Sequence, residues 1–165
     1  MKKGLVSFSF LLFIGTLIIA QENPQVYDPG ADAGEEVAEA IQKAAKEQKH
    51  VFLFIGGNWC PWCVRLNAFI FDDPQLDSLI HANYEVVKVN YSKENKNLEL
   101  LKSLNAPQRF GFPVLVIVDE NGKLVHTQNS LYLEKEKSYD RSRIWEFLLG
   151  WSYAAVRPEN HKDYK

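Results

Sequence analysis

Only two cysteines occur among the 165 residues, which excludes a small fold held together by a framework of disulfides. Histidine occurs four times. His50, His81, His126 and His161 stand apart, with no ligand-like spacing between any two, so the second half of a zinc pattern is missing. Neither sign of charge dominates: 19 basic residues meet 21 acidic ones, for a net charge of −2. Lys and Arg are scattered and form no aromatic–basic stripe, which removes the usual footprint of nucleic-acid binding. Internal repeats, low-complexity segments and any break that would open a second domain are also absent. What remains is 46% hydrophobic and 13% aromatic, enough to bury the core of one domain of ordinary size.

The N-terminus has a different character. MKKGLVSFSFLLFIGTLIIA places Lys2 and Lys3 before an apolar run from Phe8 to Ile19, with a small residue at Ala20. That is the layout of a secretory signal peptide over residues 1–20, cleaved before Gln21. The competing reading is a retained membrane anchor, but a span needs about 20 apolar residues, and this run is shorter. No Cys follows it to carry a lipid. Cleavage would leave 17 basic residues against 21 acidic ones, an acidic soluble domain with no insertion into the membrane. The expected destination is the periplasm, a compartment that permits disulfides.

Residues 21–31, QENPQVYDPGA, read as a linker with a short strand at Gln25–Tyr27. The domain is expected over 32–152, followed by a polar tail over 153–165 that is loose from Arg157 onward. Asp32 caps a helix that carries Val37, Ala40, Ile41, Ala44 and Ala45 at helical spacing. Val51–Ile55 is continuously apolar, the mark of a central strand buried on both faces. Pro61 opens the next helix, and Asp73-Pro74 opens another. Tyr84–Asn90 alternates as a strand, and Leu98–Leu104 is a short helix. Phe112–Val118 is a second buried strand, joined by an Asn121-Gly122 turn to a return strand at Lys123–Thr127. Arg141–Leu149 is the closing helix. Strands interleaved with helices and ended by a hairpin describe an α/β domain, a central mixed sheet with helices on both faces.

The two cysteines lie in GGNWCPWCVRL, with only Pro61 and Trp62 between Cys60 and Cys63. As a brace this is poor placement. By chain entropy a four-residue ring contributes about 2 kcal/mol, against about 4.7 kcal/mol for a 100-residue loop. As a redox pair it is good placement. Exchange needs an attacking thiolate and a second thiol near enough to resolve the mixed disulfide. Cys60 falls at a helix N-terminus, where backbone N–H groups and the helix dipole favour thiolate. Cys63 falls one turn on and more buried. Cys60 is thus the expected attacker and Cys63 the resolver. Trp59, Pro61 and Trp62 wrap the pair in apolar surface, with core packing as the alternative role, weighed more heavily for Trp59 than for Trp62.

WCPWC after a buried strand, with FPV about fifty residues later, resembles the thioredoxin superfamily over nearly all of 32–151. The order WC…FDDPQLDSLI…YEVVKVN is similar to exported bacterial thioredoxin-like proteins and to the C-terminal domain of envelope transmembrane disulfide reductases. The resemblance implies a thioredoxin-like fold and a thiol–disulfide oxidoreductase that needs no organic cofactor and no metal. Its partners would be disulfide-containing exported proteins and a membrane or soluble dithiol protein that carries the electrons. It implies a cis proline facing the disulfide, here Pro113, with Phe112 lining the client groove; an ordinary trans proline is the alternative. One departure stands out. The family carries a buried Asp six positions before the first cysteine, and this chain has Phe54 there. Apolar crowding by Trp59, Trp62 and Phe54 disfavours thiolate, which points to a reductase. A binding or chaperone module with little redox turnover is the reading from a different class.

Overall fold

The structure, a computed structural model, describes residues 25–161. The expected signal peptide over 1–20 lies outside the described residues. Helix α1 (Ala33–Glu47) leads into strand β1 (His50–Gly56), and helices α2 (Pro61–Phe71) and α3 (Pro74–Asn83) cross to strand β2 (Tyr84–Asn90). A short helix α4 (Leu98–Ser103) and a 3-10 turn (Pro107–Phe110) precede strands β3 (Val114–Val118) and β4 (Leu124–Asn129). Two-residue strands β5 (Glu134–Lys135) and β6 (Ser138–Tyr139) pair with each other, and helices α5 (Arg141–Gly150) and α6 (Tyr153–Val156) follow.

The main sheet has the order β2-β1-β3-β4. β2 runs parallel to β1, from His50 opposite Tyr84 to Gly56 opposite Asn90. A parallel neighbour requires a crossover, which α2 and α3 supply. β3 runs antiparallel to β1 and to β4, so the sheet is mixed, as expected.

β1 shows why both faces are covered. Every one of its residues is buried, and the period of two sends alternate side chains to opposite sides. Val51, Leu53 and Ile55 pack with Val37, Ala40 and Ala44 of α1. Phe52 and Phe54 pack with Leu66 and Ile70 of α2, Ile80 of α3 and Ile144 and Leu148 of α5. The alanines keep α1 close to its face, while aromatic rings fill the thicker layer opposite. Phe52 meets Tyr84 and Phe147 edge-on, at 5.7 and 6.1 Å between centroids.

The helix starts follow the capping chemistry of the sequence. Asp32 Oδ1 accepts from the Gly34 and Glu35 amides at 2.9 and 3.1 Å. Asp73 Oδ1 accepts from Gln75 and Leu76 at 2.9 and 3.1 Å, with Pro74 in the first helical position. In the β3–β4 turn the positive φ falls on Gly122 (78°) and not on Asn121; the Asp119 carboxylate accepts the Asn121 and Lys123 amides instead.

Two local expectations differ from the structure. Residues 25–27 form no strand; Tyr27 is buried to 1% exposure and belongs to the core, so this part of the expected linker is docked onto the domain. The tail from Arg157 onward is not loose throughout: Arg157 pairs with Glu120, and Pro158–Asn160 forms a 3-10 turn, after the helical Tyr153–Val156 whose Tyr153 ring meets His50 edge-on at 5.6 Å. His50 is itself buried at 1% exposure, its Nδ1 donating to the Trp151 carbonyl at 2.9 Å. A period-based reading misses such contacts because they hang on single side chains and not on a repeating face.

Arg141 Nε donates to Asp73 Oδ2 at 2.7 Å and joins the start of α5 to the start of α3. This guanidinium, with the Leu76 and Gln75 amides, lowers the Asp73 pKa to about 2, from an unfolded value of about 3.9. A depressed carboxylate stabilises the fold above its unfolded pKa and stops doing so as pH falls through its folded one. Asp73→Asn, which keeps a capping oxygen, is therefore expected to flatten the acid limb of the stability curve between about pH 4 and about pH 2, read as urea midpoints across that range.

Candidate active site

β1 ends at Gly56, and the chain needs three residues, Gly57, Asn58 and Trp59, before Cys60 can cap α2. Cys60 has extended backbone angles (φ −99°, ψ 104°), and its Sγ accepts the Cys63 amide at 3.2 Å. The sulfur thus occupies the place of an N-cap oxygen, where an amide and the helix dipole favour negative charge. Cys60 and Cys63 are joined as a disulfide, with Cα atoms 5.2 Å apart.

Both glycines are needed for close approach. A Cβ on Gly56 would lie 2.6 Å from Cys63 Sγ and 2.7 Å from the Tyr27 hydroxyl. A Cβ on Gly57 would run into the Trp59 indole and sit 2.7 Å from the Tyr91 carbonyl. Asn58 fastens the preceding chain. Its Oδ1 accepts the Val26 and Tyr27 amides at 2.8 and 3.0 Å, and its Nδ2 donates to the Tyr27 carbonyl at 2.7 Å.

The second side of the site comes from the approach to β3. Asn105 and Ala106 (φ 60° and 52°) and Gly111 (φ 84°) are left-handed, and they turn the chain into Phe112-Pro113, which is a cis peptide. The Phe112 ring lies 4.6 Å from Tyr91 and 5.7 Å from Trp59, centroid to centroid. Trp59 Nε1 donates to the Tyr91 carbonyl at 2.6 Å. Trp59, Phe112 and Tyr91 therefore form one aromatic wall. A cavity of about 470 Å³ lies on one side of Trp59, lined by Tyr91, Ser92, Lys93, Glu94 and Lys96; another of about 490 Å³, lined by Asn58, Pro61, Val64, Arg65 and Ala68, lies on the other.

The two tryptophans exchange the roles expected of them. Trp59 is 57% exposed, while Trp62 is half-buried against the core. Trp59 precedes the helix and stands on its indole hydrogen bond. Trp62 meets the Tyr139 ring edge-on at 5.5 Å and carries the Arg65 guanidinium 4.7 Å over its face. Tyr139 donates to the Trp62 carbonyl at 3.0 Å, and burial raises the pKa of its hydroxyl. Cys60 is also more covered than expected, at 4% exposure against 0% for Cys63, because Trp62 and Phe112 pack against the cluster that holds both. The order of access survives. Pro61 is exposed in the first turn, and Pro113 is buried beside Phe112. Asn58, Tyr91, Tyr139 and above all Tyr27 complete this neighbourhood without having been singled out; Asn58 alone carried a signal, as the polar residue inside GGNWC.

Such a site can do one kind of chemistry well. A sulfur stabilised as thiolate can attack or leave, and a second sulfur one turn behind can recapture it. On this sheet order, that is the chemistry of the thioredoxin-fold thiol–disulfide oxidoreductases, and the chain is an enzyme of that class. It belongs to the thioredoxin-like family, whose sequence model matches residues 32–120.

Individual relatives agree. The chain is 29% identical over 111 residues to the disulfide bond reductase DsbH of Chlamydia pneumoniae, spanning 62% of this chain and 67% of that protein. It is 30% identical over 79 residues to the thiol:disulfide interchange protein DsbD of Haemophilus ducreyi, which is 47% of this chain but 13% of that much longer protein. The crystal structure of a disulphide isomerase from Xylella fastidiosa Temecula1 superposes with a TM-score of 0.68 at 29% identity, covering 76% of this chain and 95% of that one.

The difference in access is directly measurable. After reduction, a limiting amount of iodoacetamide at neutral pH is expected to modify Cys60 at least about threefold faster than Cys63, as peptide mass spectrometry would read it. A larger thiolate fraction at a helix cap is partly offset by the lower nucleophilicity of a more stabilised thiolate, which leaves a gain of about threefold before access is counted. Equal labelling would remove the assignment of attacker and resolver.

Proposed function

We propose that the chain is an exported protein disulfide reductase, with Cys60 as nucleophile, Cys63 as resolving thiol, and Trp59, Pro61, Trp62, Phe112 and Pro113 as the client groove. One observation carries this reading: Cys60 caps α2 and its Sγ accepts the Cys63 amide, with Cys60 4% exposed and Cys63 fully buried. Export rests on the signal-peptide layout of residues 1–20, removed near Ala20, with 21–31 leading into the domain. The reductase direction rests on the apolar setting. One backbone amide supports Cys60 Sγ, Phe54 fills the layer beneath at 0% exposure, and Arg65 lies over the Trp62 ring. A thiolate stabilised this sparingly is a good electron donor when reduced. The name of the Chlamydia pneumoniae relative agrees in direction.

The reaction balances without a cofactor. The Cys60 thiolate attacks a client disulfide; the Cys60–client S–S bond forms, the client S–S bond breaks, and one client sulfur leaves as thiolate. Cys63 then loses its proton to that thiolate, directly or through water, and attacks Cys60 Sγ. The Cys60–Cys63 bond forms, and the second client sulfur leaves as thiolate. Two electrons pass to the client, and a dithiol protein, membrane-bound or soluble, must return them. The open edge of Phe112 beside the cis peptide is where the client backbone would lie, with the two hollows beside Trp59 taking its side chains.

Cys63→Ser stops the reaction after its first step. It is expected to leave exported proteins bound to Cys60 as mixed disulfides, released by reductant and identified by mass spectrometry. Adducts formed only by Cys60→Ser would reverse the roles. A double Cys→Ser variant that keeps its cellular role would instead favour a binding module using the exposed Trp59 surface.

A further inference from the structure

The layer beneath the disulfide contains a buried polar group that the exchange chemistry has not used. Tyr27 is 1% exposed, and its hydroxyl has no hydrogen-bond partner among the described residues. A buried hydroxyl that reaches no protein acceptor in the oxidised state is free to bond one that appears in another state. Its position identifies that state. The missing Cβ of Gly56 is the point at which the Tyr27 hydroxyl and Cys63 Sγ converge, at 2.7 and 2.6 Å from it. The two atoms therefore lie within the sum of those distances. A disulfide sulfur is a weak acceptor, whereas a thiolate is a strong one.

We propose that Tyr27 is the hydrogen-bond donor to Cys63, engaging its sulfur as charge develops there during resolution of the mixed disulfide. This rests on the exchange reaction proposed above. The Tyr27 backbone is held on both sides by Asn58, so the same loop that sets Cys60 at the helix start also sets the hydroxyl behind Cys63. Its ring leans on Phe54, 6.0 Å between centroids.

The hydroxyl acts as a donor and not as a base. Burial, with Tyr139 nearby, raises its pKa well above the ordinary tyrosine value, so it stays protonated throughout. The Cys63 proton leaves to the departing client thiolate or to water, and Tyr27 gains and loses none. The titratable groups placed around Cys63 are Cys60 and Tyr27, with Tyr139 next beyond on the Trp62 carbonyl and Arg65 directed over the Trp62 ring.

The sign of the effect depends on pH. A donor that lowers the Cys63 pKa by one unit raises its thiolate fraction tenfold when pH lies below that pKa. The same donor reduces nucleophilicity by about threefold, leaving a net gain of roughly threefold per unit. Above the Cys63 pKa the fraction is saturated, and the donor only slows attack.

The test mixes the reduced full-length protein with excess oxidised glutathione, quenches it with acid, and counts dithiol, mixed-disulfide and disulfide forms by mass. Tyr27→Phe is expected to resolve the mixed disulfide roughly threefold to tenfold more slowly at pH 7, with formation of the mixed disulfide unchanged. The gap should close and then invert as pH rises past the Cys63 pKa. Equal resolution at pH 7, or both steps slowed alike, would overturn the proposal and leave Tyr27 as a spacer. A second measurement does not depend on turnover. Tyr27→Phe should leave the oxidised protein at least as stable as the parent, since the hydroxyl has no partner there, and should lower the melting temperature of the reduced form at alkaline pH. Loss in the oxidised form alone would contradict the assignment. If the parent never forms a mixed disulfide, the oxidoreductase reading fails, while the reduced-state comparison still decides on Tyr27.

Discussion

Everything at the active end of this molecule depends on where β1 stops. The strand is buried on both faces from His50 to Gly56, so it cannot shift register without turning Val51, Leu53 and Ile55 into the aromatic layer and Phe52 and Phe54 into the alanine face. That locks Gly56 in place. The three residues after it must then deliver Cys60 to the start of α2, whose own Leu66 and Ile70 are committed to the same aromatic layer. The position of the disulfide is thus a consequence of packing at a distance from it. β3 is held to β1 by the antiparallel register Ile55 opposite Val114, so Phe112-Pro113 is brought over the disulfide by the same constraint.

How much of this was legible follows from the kind of signal each part carries. β1, β2 and β3 show as apolar or alternating runs, and the capped helices show as Asp-x-x or Asp-Pro starts, because a repeating face or a cap leaves its mark in consecutive residues. The cysteine pair and Phe112-Pro113 show through spacing and resemblance. Tyr27 does not. It sits alone in a Pro-, Gly- and Asn-rich stretch, with no period to reveal that its side chain is buried, and its backbone is held by a side-chain clasp from Asn58, 31 positions away. The tryptophans were misordered for a related reason: exposure at a helix start depends on which neighbour offers a partner. Tyr91 offers a carbonyl to Trp59, whereas Tyr139 offers a ring to Trp62.

The same contrast bears on the burial of Cys60 at 4% exposure. A wide opening would let small thiols and water reach the sulfur, but would leave fewer apolar contacts for a client to displace. Here Trp59 stands 57% exposed, and its ring is braced by Phe112 and the Tyr91 carbonyl. In the proposed function, a client chain would bury that indole as its disulfide meets Cys60. Buried aromatic area gives affinity that tolerates sequence variation, which suits an enzyme that must read disulfides and not one sequence. In the proposed mechanism, specificity then comes from geometry at the cis peptide, and affinity comes from the wall beside it.

The apolar layer also imposes a cost on the second half of the reaction. In the proposed reaction, attack by Cys60 is supported by an amide and a helix terminus, but Cys63 must become an anion at 0% exposure within the same core cluster as Phe54 and Leu66, where desolvation disfavours charge. A carboxylate in that layer would assist deprotonation, yet would itself be an expensive charge to bury in the resting protein. A tyrosine hydroxyl makes a smaller demand. It is neutral in every state and uses its ring as core, and its proton is offered only when the sulfur becomes an acceptor worth bonding. An aromatic core with one hydroxyl can therefore serve a resolving thiol without a permanent buried charge, at the expense of one unsatisfied donor while the disulfide is closed. In that balance the substitution of Phe54 for an acid and the burial of Tyr27 are two parts of one arrangement.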